Sequence, residues 1–348
     1  MYDNISNGEW RVVTVMFAGE NRKTAVWKVN PVSPDPTVIA RAGQILQEGG
    51  LIAFPTETVY GLGANSFDAN AVSSIYTAKG RPSRNPLIVH FVGEEMRKRL
   101  SPVWPPLAEK LAKAFWPGPL TLVLPKSPDV PDVVTGNGPT VAIREPVHPV
   151  ARALILAATC PIAAPSANRS NELSPTLAGH VLRGLDGRID VLLDGGPCAA
   201  GIESTVLDLS GERPRILRPG PLSREMLETI IGPVEISGGH LGEAHLPSPG
   251  MLLKHYSPRT PTVMVRSPEE LGFDEGHLAV VTFGPIGNVP ATVVVLPGDP
   301  AGYAAEIYAR LHELDDGRFD RIVIVEPPDT PAWAAVRDRL KRATHRAD

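Results

Sequence analysis

The chain has 348 residues, of which 43% are hydrophobic and 21% are charged, and its formal net charge is −4. These values are ordinary for globular proteins and exclude a disordered or fibrous class, while the length favours two domains. The two cysteines, Cys160 and Cys198, are too few for a disulfide framework or a cysteine-based zinc site, and the negative charge argues against a general polyanion-binding surface.

The chain begins with residues 1–26, which we interpret as an N-terminal extension of open role. Its first residues, MYDNISNGEWRVV, lack a basic stretch followed by an apolar run, so a secretory signal is not expected. The apolar runs are far shorter than the ~20 residues that span a bilayer. We therefore expect a cytoplasmic protein without a membrane span.

Residues 27–237 alternate short apolar runs with segments of helical spacing, bounded by glycine and proline. Strands are predicted at 51–54, 87–91, 120–124, 141–144, 162–164, 191–193, 205–209 and 215–217. Helices are predicted at 37–47, 69–79, 107–115, 149–159 and 175–185. This irregular order favours an α/β domain with a twisted mixed sheet over a parallel doubly wound one.

Residues 238–261 are rich in Gly, Pro, Ser and His without periodicity, which is typical of an interdomain linker. The α/β pattern restarts in residues 262–348 and predicts a small second domain. Its strands are predicted at 263–265, 278–283, 292–296 and 321–325, and its helices at 301–314 and 331–343.

The first segment of chemical interest is FPTETVYGLGANS, residues 54–66, interpreted as a strand that leads into a loop with hydroxyls and glycines. The pair Gly61 and Gly63 suggests a dinucleotide fingerprint, but Ser66 stands at the third glycine position and no helix begins there, which disfavours it. A glycine turn with satisfied threonines is the simpler alternative.

A second segment, KGRPSRNPLIVH at 79–90, places Lys79, Arg81 and Arg84 at a loop broken by glycine and proline. Three cations near one turn can neutralise a triphosphate, and arginine matches phosphate oxygens in pairs. A solvated basic loop is the structural alternative. His90 is equally compatible with a histidine at the edge of the core.

Four later segments place hydroxyls, glycines or a lone arginine where a short strand meets a loop: GPTVAIREP (138–146), APSANRSNELSPT (164–176), DGGPCAAGIESTV (194–206) and ILRPG (216–220). Such positions often carry ligand groups in α/β sheets, although caps and turns explain single cases. Glu57, Glu203 and Asp194 are interpreted as capping or turn residues. Motifs of covalent catalysis are absent from the sequence, so positioning and electrostatic stabilisation of anions are favoured.

Taken in order, FPTETVYGLG, KGRPSRNPLIVH, PGPLT (117–121), PSAN, ESTV and ILRPG closely resemble the threonylcarbamoyl-AMP synthase family, whose core is a YrdC-like domain. The likeness covers residues 27–237, and SPGMLLKHYSP at 248–258 resembles the linker of the long, two-domain form. The resemblance implies a YrdC-like mixed sheet followed by a small Rossmann-like C-terminal domain.

The reaction implied by the resemblance joins L-threonine, bicarbonate and ATP into threonylcarbamoyl-AMP and pyrophosphate, for modification of tRNA beside the anticodon. A tRNA-modifying transferase complex would receive the product, Mg²⁺ would arrive with ATP rather than on a protein metal site, and the enzyme would be a monomer. Direct binding of tRNA stays open. The implied linker role is a lid that keeps water from the labile product.

The implied site residues fall into three groups. The catalytic residues would be Lys79 and Arg81. L-Threonine would be bound by Thr58, His90, Arg144, the Ala164 backbone and Ser204. ATP would be bound by Arg81, Asn85, Thr140, Ser166, Ser174, Arg218 and Tyr256.

Four positions depart from the family pattern: Arg84 adds a charge, Asn171 stands where glycine is typical, and Leu252 and Leu253 are less polar than expected. The alternative functions are an RNA-binding module, which the net charge disfavours, and a carbamoyl-transfer domain of the hydrogenase-maturation type. The latter would carry zinc fingers for which this chain lacks cysteines.

Overall fold

The structure is a computed structural model that describes residues 23–237, 256–267, 270, 276–287 and 289–344. Most of the predicted N-terminal extension, residues 1–22, lies outside these residues. So does the linker from 238 to 255, with Leu252, Leu253 and most of the proposed lid. Within the described ranges, no helix is both long and apolar enough to cross a membrane.

The described part of the first domain is built on an eleven-stranded mixed sheet. Its strands are β1 (Ala25–Lys28), β2 (Ile52–Phe54), β3 (Gly61–Asn65), β4 (Ile88–His90), β5 (Leu120–Pro125), β6 (Thr140–Arg144), β7 (Ile162–Ala163), β8 (Val191–Asp194), β9 (Thr205–Asp208), β10 (Arg215–Arg218) and β11 (Glu235–Ile236). They are ordered β1-β8-β2-β3-β7-β4-β6-β5-β9-β10-β11, with parallel and antiparallel neighbours mixed. The predicted mixed α/β sheet is confirmed.

Helices cover this sheet: α1 (Pro36–Gln47), α2 (Ala69–Lys79), α3 (Gly93–Leu100), α4 (Pro106–Phe115), α5 (Asp132–Thr135), α6 (Pro149–Ala158), α7 (Ala178–Leu185) and α8 (Arg224–Ile231). Their ends follow local chemistry. Asp68 caps α2 by accepting from two backbone amides, and Gly80 ends that helix in the left-handed conformation. The end of α2 therefore carries Lys79 and turns the chain so that Arg81 follows directly.

Two segments of the first domain differ from the sequence expectation. The interpretation of 61–65 as part of a loop is wrong, because these residues form β3 between β2 and β7. An added Cβ at Gly63 would lie 2.7 Å from Ile162 and 2.8 Å from Phe54, so glycine permits this close packing. At the edge of the sheet, β1, for which the sequence pattern predicts no strand, pairs with β8.

The second domain has a four-stranded parallel sheet in its described residues, ordered β12-β15-β13-β14. The strands are β12 (Thr262–Val265), β13 (Leu278–Thr282), β14 (Thr292–Val295) and β15 (Arg321–Val325), and the helices are α9 (Pro300–Leu314) and α10 (Ala334–Ala343). The small α/β domain is thus confirmed, whereas the residue at which each predicted domain starts and ends stays a prediction.

The two domains share buried contacts. One apolar cluster joins Ile202 and Leu173 of the first domain to Tyr303 and Ala304 of α9. Gly201 lies against α9 so closely that an added Cβ would be 2.2 Å from the Ala304 carbonyl oxygen. This contact places α9 and α10 directly behind the segment that leads into β9.

A histidine pair lies in the same interface. The rings of His180 on α7 and His312 on α9 stack with centroids 3.9 Å apart. Arg183 Nη1 donates to the His312 carbonyl at 2.5 Å, and His312 Nε2 is 3.1 Å from the Ser174 carbonyl oxygen, to which it must donate. Burial lowers the pKa of His180 to about 4 and of His312 to about 3. Both rings are therefore neutral near pH 7.

Candidate active site

The predicted functional segments meet in one cleft with an empty volume of about 510 Å³. It lies where strands of the large sheet end, and Tyr256 of the linker completes it. Its walls are formed by Thr56, Thr58, Val59, Gly61, Arg81, Ile88, His90, Arg144, Ala164, Pro165, Ser166, Glu203, Ser204, Arg218 and Tyr256.

Arg144 organises one side of the cleft from the end of β6. Its Nη1 donates to Thr58 Oγ1 at 2.9 Å and its Nε donates to the Gly118 carbonyl at 3.2 Å. Its Nη2 lies 2.5 Å from Glu57 Oε1 in an ion pair, and Arg144 is 3% exposed. Glu57 therefore orients the arginine, and its interpretation as a capping residue is wrong.

His90 lies beside Arg144 because β4 and β6 are parallel neighbours with these two residues in register. Burial, with the nearby Arg144 charge, lowers the pKa of His90 to about 3. Its Nδ1 is buried without a hydrogen-bond partner among the described residues. A neutral imidazole with an open nitrogen can accept or donate one hydrogen bond to a ligand.

Ser204 and Arg218 form the adjoining wall. Arg218 Nη2 donates to the Ser204 carbonyl and to its Oγ, each at 3.1 Å. Ser204 Oγ also lies 2.8 Å from Thr121 Oγ1. The PGPLT motif thus supports the cleft without lining it, because the Gly118 carbonyl positions Arg144 and the Thr121 hydroxyl positions Ser204.

Arg81 enters the cleft from the loop after α2. Its Nη2 donates to the Pro86 carbonyl at 3.2 Å, and its buried Nε has no hydrogen-bond partner among the described residues. Burial lowers the pKa of Arg81 and of Arg218. A guanidinium that has already lost its water gains more from a bound anion than an exposed one does.

Four predicted site residues do not line the cleft in this conformation. Lys79 Nζ donates to the carbonyls of Ser166, at 2.6 Å, and Asn168, so it fixes the PSAN loop. Burial, followed by the Arg81 charge, lowers the pKa of this amine well below its usual value. Ser174 Oγ donates to Glu203 Oε1 at 2.5 Å, directly behind the wall.

The other two such residues are Asn85 and Thr140. Asn85 is 2% exposed, and neither its amide nitrogen nor its amide oxygen has a hydrogen-bond partner in the described part of the chain. A buried, unsatisfied amide costs free energy unless something binds it. Thr140 begins β6, opposite Pro125. The binding roles of these four residues, like those of the residues that line the cleft, stay predictions.

Glu203 lines the cleft, although the sequence does not assign it to the site. The interpretation of Glu203 as a capping or turn residue is wrong, because its buried carboxylate accepts from Arg339 Nε of α10 at 2.6 Å. The partner lies 136 residues away in the sequence and gives no local signal. The only available sign was the position of Glu203 inside the ESTV motif.

In the described parts of the chain, no group of three or more His, Cys, Asp and Glu side chains converges as metal ligands do. The two acidic residues nearest the cleft, Glu57 and Glu203, are each paired with an arginine. These residues do not fit a resident metal ion held by protein ligands alone.

Comparison with known proteins covers both domains. Residues 44–220 match the family model Sua5_yciO_yrdC, described as "Telomere recombination". Residues 222–344 match the model described as "Threonylcarbamoyl-AMP synthase, C-terminal domain". Together these matches extend from α1 to α10.

Full-length relatives are also similar to this chain. The threonylcarbamoyl-AMP synthase of Bacillus subtilis is 43% identical over 338 residues, which cover 92% of this chain and 98% of the relative. That of Pyrococcus abyssi is 43% identical over 316 residues, covering 87% of this chain and 93% of the relative. The crystal structure of P. abyssi Sua5 complexed with L-threonine superposes with a TM-score of 0.85 at 39% identity, covering 92% of this chain and 98% of that one.

Proposed function

Because the chain belongs to the threonylcarbamoyl-AMP synthase family, we propose that its cleft carries out that family's reaction with the residues described above. The enzyme forms threonylcarbamoyl-AMP and pyrophosphate from L-threonine, bicarbonate and ATP. The product serves the threonylcarbamoyl-adenosine modification of tRNA beside the anticodon. The P. abyssi relative was crystallised in complex with L-threonine, which supports L-threonine as a substrate of this chain.

The chemistry needs electrostatic help more than a covalent catalyst. The amine of threonine adds to bicarbonate with loss of water, which gives a carbamate. A carbamate oxygen then attacks the α-phosphorus of ATP, the bond to the bridging oxygen breaks, and pyrophosphate leaves. Both reactants are anions, so they approach only where cations neutralise them and hold them in line.

The half of the cleft around Arg144 would bind threonine. Its guanidinium, already oriented by Glu57, would take the substrate carboxylate. Thr58, His90 and Ser204 would complete the polar wall. The Ala164 amide already donates to the Ile88 carbonyl at 2.9 Å, so the backbone group assigned to the substrate amine is the Ala164 carbonyl.

The other half would bind ATP. Arg81 would act on the α-phosphate, where charge develops, and Lys79 would hold the adjacent loop in the reactive arrangement. The remaining nucleotide contacts are assigned to Asn85, Thr140, Ser166, Ser174, Arg218 and Tyr256. Magnesium would enter as part of MgATP, coordinated mainly by phosphate oxygens and water.

We also propose that the enzyme works in the cytoplasm as a monomer. Both cysteines are buried free thiols, which suits a reducing compartment. The chain carries both halves of the cleft, so a second copy is not needed to complete it. The product would pass to a tRNA-modifying transferase complex; direct tRNA binding is not part of the proposal.

The observation that carries the proposal is the meeting of Arg81, Arg144, Ser204 and Arg218 in one cleft, although they are spread over 81–218 in sequence. The test is threonine-dependent release of pyrophosphate from ATP and bicarbonate. Arg81→Ala is expected to lower the rate of pyrophosphate release by at least about 100-fold, because it removes the cation beside the α-phosphate, where negative charge develops.

The matched control is Arg84→Ala, which removes an exposed arginine from the same loop and should leave the rate within about twofold. Circular dichroism and thermal unfolding verify that both variants fold. Near-normal release by a folded Arg81→Ala protein would contradict the assigned role. Absence of threonine-dependent release by the unmodified enzyme would contradict the function itself.

A further inference from the structure

A carboxylate lies in the wall of a cleft that must bind anions. Glu203 lines the cleft and is 6% exposed, between Ile202 and the substrate residue Ser204. Its Oε1 accepts from Ser174 Oγ at 2.5 Å, and its Oε2 accepts from Arg339 Nε at 2.6 Å and from Tyr308 OH at 3.4 Å. Two of these three donors belong to the C-terminal domain.

Arg339 contacts three segments behind the nucleotide half of the cleft. Besides Glu203, its Nη2 donates to the Pro219 carbonyl at 3.0 Å, next to Arg218. Its guanidinium also lies 5.3 Å from the ring centre of Tyr256. Arg339 is 1% exposed and is held by Asp338, whose oxygen accepts from Nη1 at 2.6 Å.

The charge arrangement shows what this arginine does. Burial by itself would raise the pKa of Glu203, but the charges of Arg339 and Arg218, together with the hydrogen bonds from Ser174 and Arg339, lower it below its ordinary value, so the residue is a carboxylate. A buried carboxylate without a cation of its own would repel phosphates and compete for Arg218. With Arg339 as its partner, the Glu203 carboxylate is compensated and adds less negative charge to the wall that carries Arg218.

We propose that Arg339 of the C-terminal domain is a positioning residue for ATP, which neutralises and orients Glu203 so that Ser174, Arg218 and Tyr256 are held for the nucleotide. This inference rests on the proposed function of the cleft. It assigns the C-terminal domain a part in the site itself: the domain supplies the counter-charge that makes the ATP half suitable for a polyanion.

The threonine half gives the internal comparison for a test. Arg144 is hydrogen-bonded to Thr58 and to the Gly118 carbonyl and is paired with Glu57, and none of these contacts in the described part of the chain involves Arg339. Arg339→Met should therefore raise the KM for ATP by about tenfold or more, because it leaves the Glu203 carboxylate without its cation, and that carboxylate then repels the phosphates of ATP. Threonine affinity, measured by calorimetry without ATP, should change less than about threefold.

The double variant Glu203→Gln/Arg339→Met separates charge from shape. It removes both charges, so no uncompensated carboxylate stays in the wall, and the KM for ATP should return to within about threefold of the starting enzyme. It also guards against misfolding, because removing both members of a buried pair disturbs a fold far less than removing one. The control is Lys341→Ala, an exposed cation on the same helix, which should change neither constant.

Three outcomes overturn the inference: equal weakening of ATP and threonine by Arg339→Met, an unchanged KM for ATP in that variant, or a folded double variant no better than Arg339→Met. Each would reduce Arg339 to a structural contact or remove its role. Failure of the proposed function is distinguishable, because it would appear in the unmodified enzyme as absent threonine-dependent pyrophosphate release.

Discussion

The two halves of the cleft are built in different ways. The threonine half is assembled inside one sheet, where His90 and Arg144 are in register on adjacent strands and Glu57 pairs with the arginine. The ATP half joins distant segments: Arg218 from β10, Tyr256 from the linker, and Glu203 held by α10 of the other domain. One half is fixed by strand pairing and the other by how the domains dock.

Binding groups in the two halves are therefore held in place by two different kinds of contact. Strand register places side chains wherever the sheet forms, so the threonine half needs only the first domain. An interface between domains is weaker and can open, so the ATP half depends on contacts that a distant substitution can disturb. The comparison predicts that domain contacts control ATP use and leave threonine binding nearly unchanged.

The largest expected effect comes from breaking the threonine half at its centre. Arg144→Met removes the guanidinium that we propose to bind the carboxylate of threonine. It also leaves Glu57 as a buried, unpaired charge. We expect kcat/KM for threonine to fall by 100-fold or more, because truncating one member of a buried charge pair costs about 2–5 kcal/mol. Steady-state kinetics with threonine varied at saturating ATP measures it.

A surface arginine supplies the control for this variant. Arg213→Met removes an arginine whose side chain is 78% exposed and should leave the kinetics unchanged. The ATP affinity of Arg144→Met, measured by calorimetry in the absence of threonine, should stay within about fivefold. If ATP and threonine affinities fell together, the two halves would not be independent.

A smaller effect is expected from disturbing the docking of the domains. Gly201 has φ +71°, and an added Cβ would lie 2.2 Å from the Ala304 carbonyl oxygen of α9. Gly201→Ala must therefore push α9 and the 201–203 segment apart. The KM for ATP should rise about fivefold to tenfold while threonine affinity changes less than twofold.

The matched variant is Gly211→Ala, because nothing lies within 4 Å of a Cβ at that position. It should alter neither substrate, which would show that replacing a glycine in this domain is not harmful by itself. Equal losses of ATP and threonine binding in Gly201→Ala would mean that docking supports the whole cleft. That result would remove the contrast between its halves.

Features that depend on residues close together in the sequence could be predicted, whereas features that depend on contacts between distant segments could not. Patterns local in sequence, such as the apolar runs and caps, predicted most strands and helices close to their observed bounds. The sequence pattern does not predict β3, because its glycines contribute no apolar side chains to an alternating pattern. The same glycines let Phe54 and Ile162 pack closely against the strand. Helix α3 was missed since its sequence, GEEMRKRL, is mostly charged and buries little.

Among site residues, those in ordered motifs could be predicted and their distant partners could not. Arg339 carries no motif, and only the packing of two domains brings it to Glu203. Asn171 illustrates the reverse case: its φ of +68° explains why glycine is expected there, and asparagine tolerates this conformation better than most residues. Its carbonyl accepts from the Ser257 amide at 3.0 Å, so the loop is tied to the linker.

The smallest expected effect concerns pH and the histidine pair that supports the ATP half from the interface. The pKa of His312 is about 3 in the folded chain because of burial and the neighbouring His180, against an ordinary 6.5 when unfolded. Below pH 6.5 the unfolded chain takes up a proton that the folded chain refuses, so stability falls as pH falls from about 6.5 towards 3. Above about pH 7.5 this contribution vanishes.

Replacing this histidine should therefore flatten the pH dependence. His312→Gln retains an N–H donor for the Ser174 carbonyl but cannot titrate. Between pH 7 and pH 5.5 the unfolding free energy of the variant should fall by about 1 kcal/mol less than that of the unmodified enzyme, as one suppressed histidine predicts. Urea unfolding at several pH values measures this difference, and His277→Gln, at an exposed position in the same domain, should follow the unmodified profile. Parallel curves of unfolding free energy against pH for His312→Gln and the unmodified enzyme would show that the domain interface does not keep the His180 and His312 pair neutral. The contact of α9 with Ser174 would then not depend on pH.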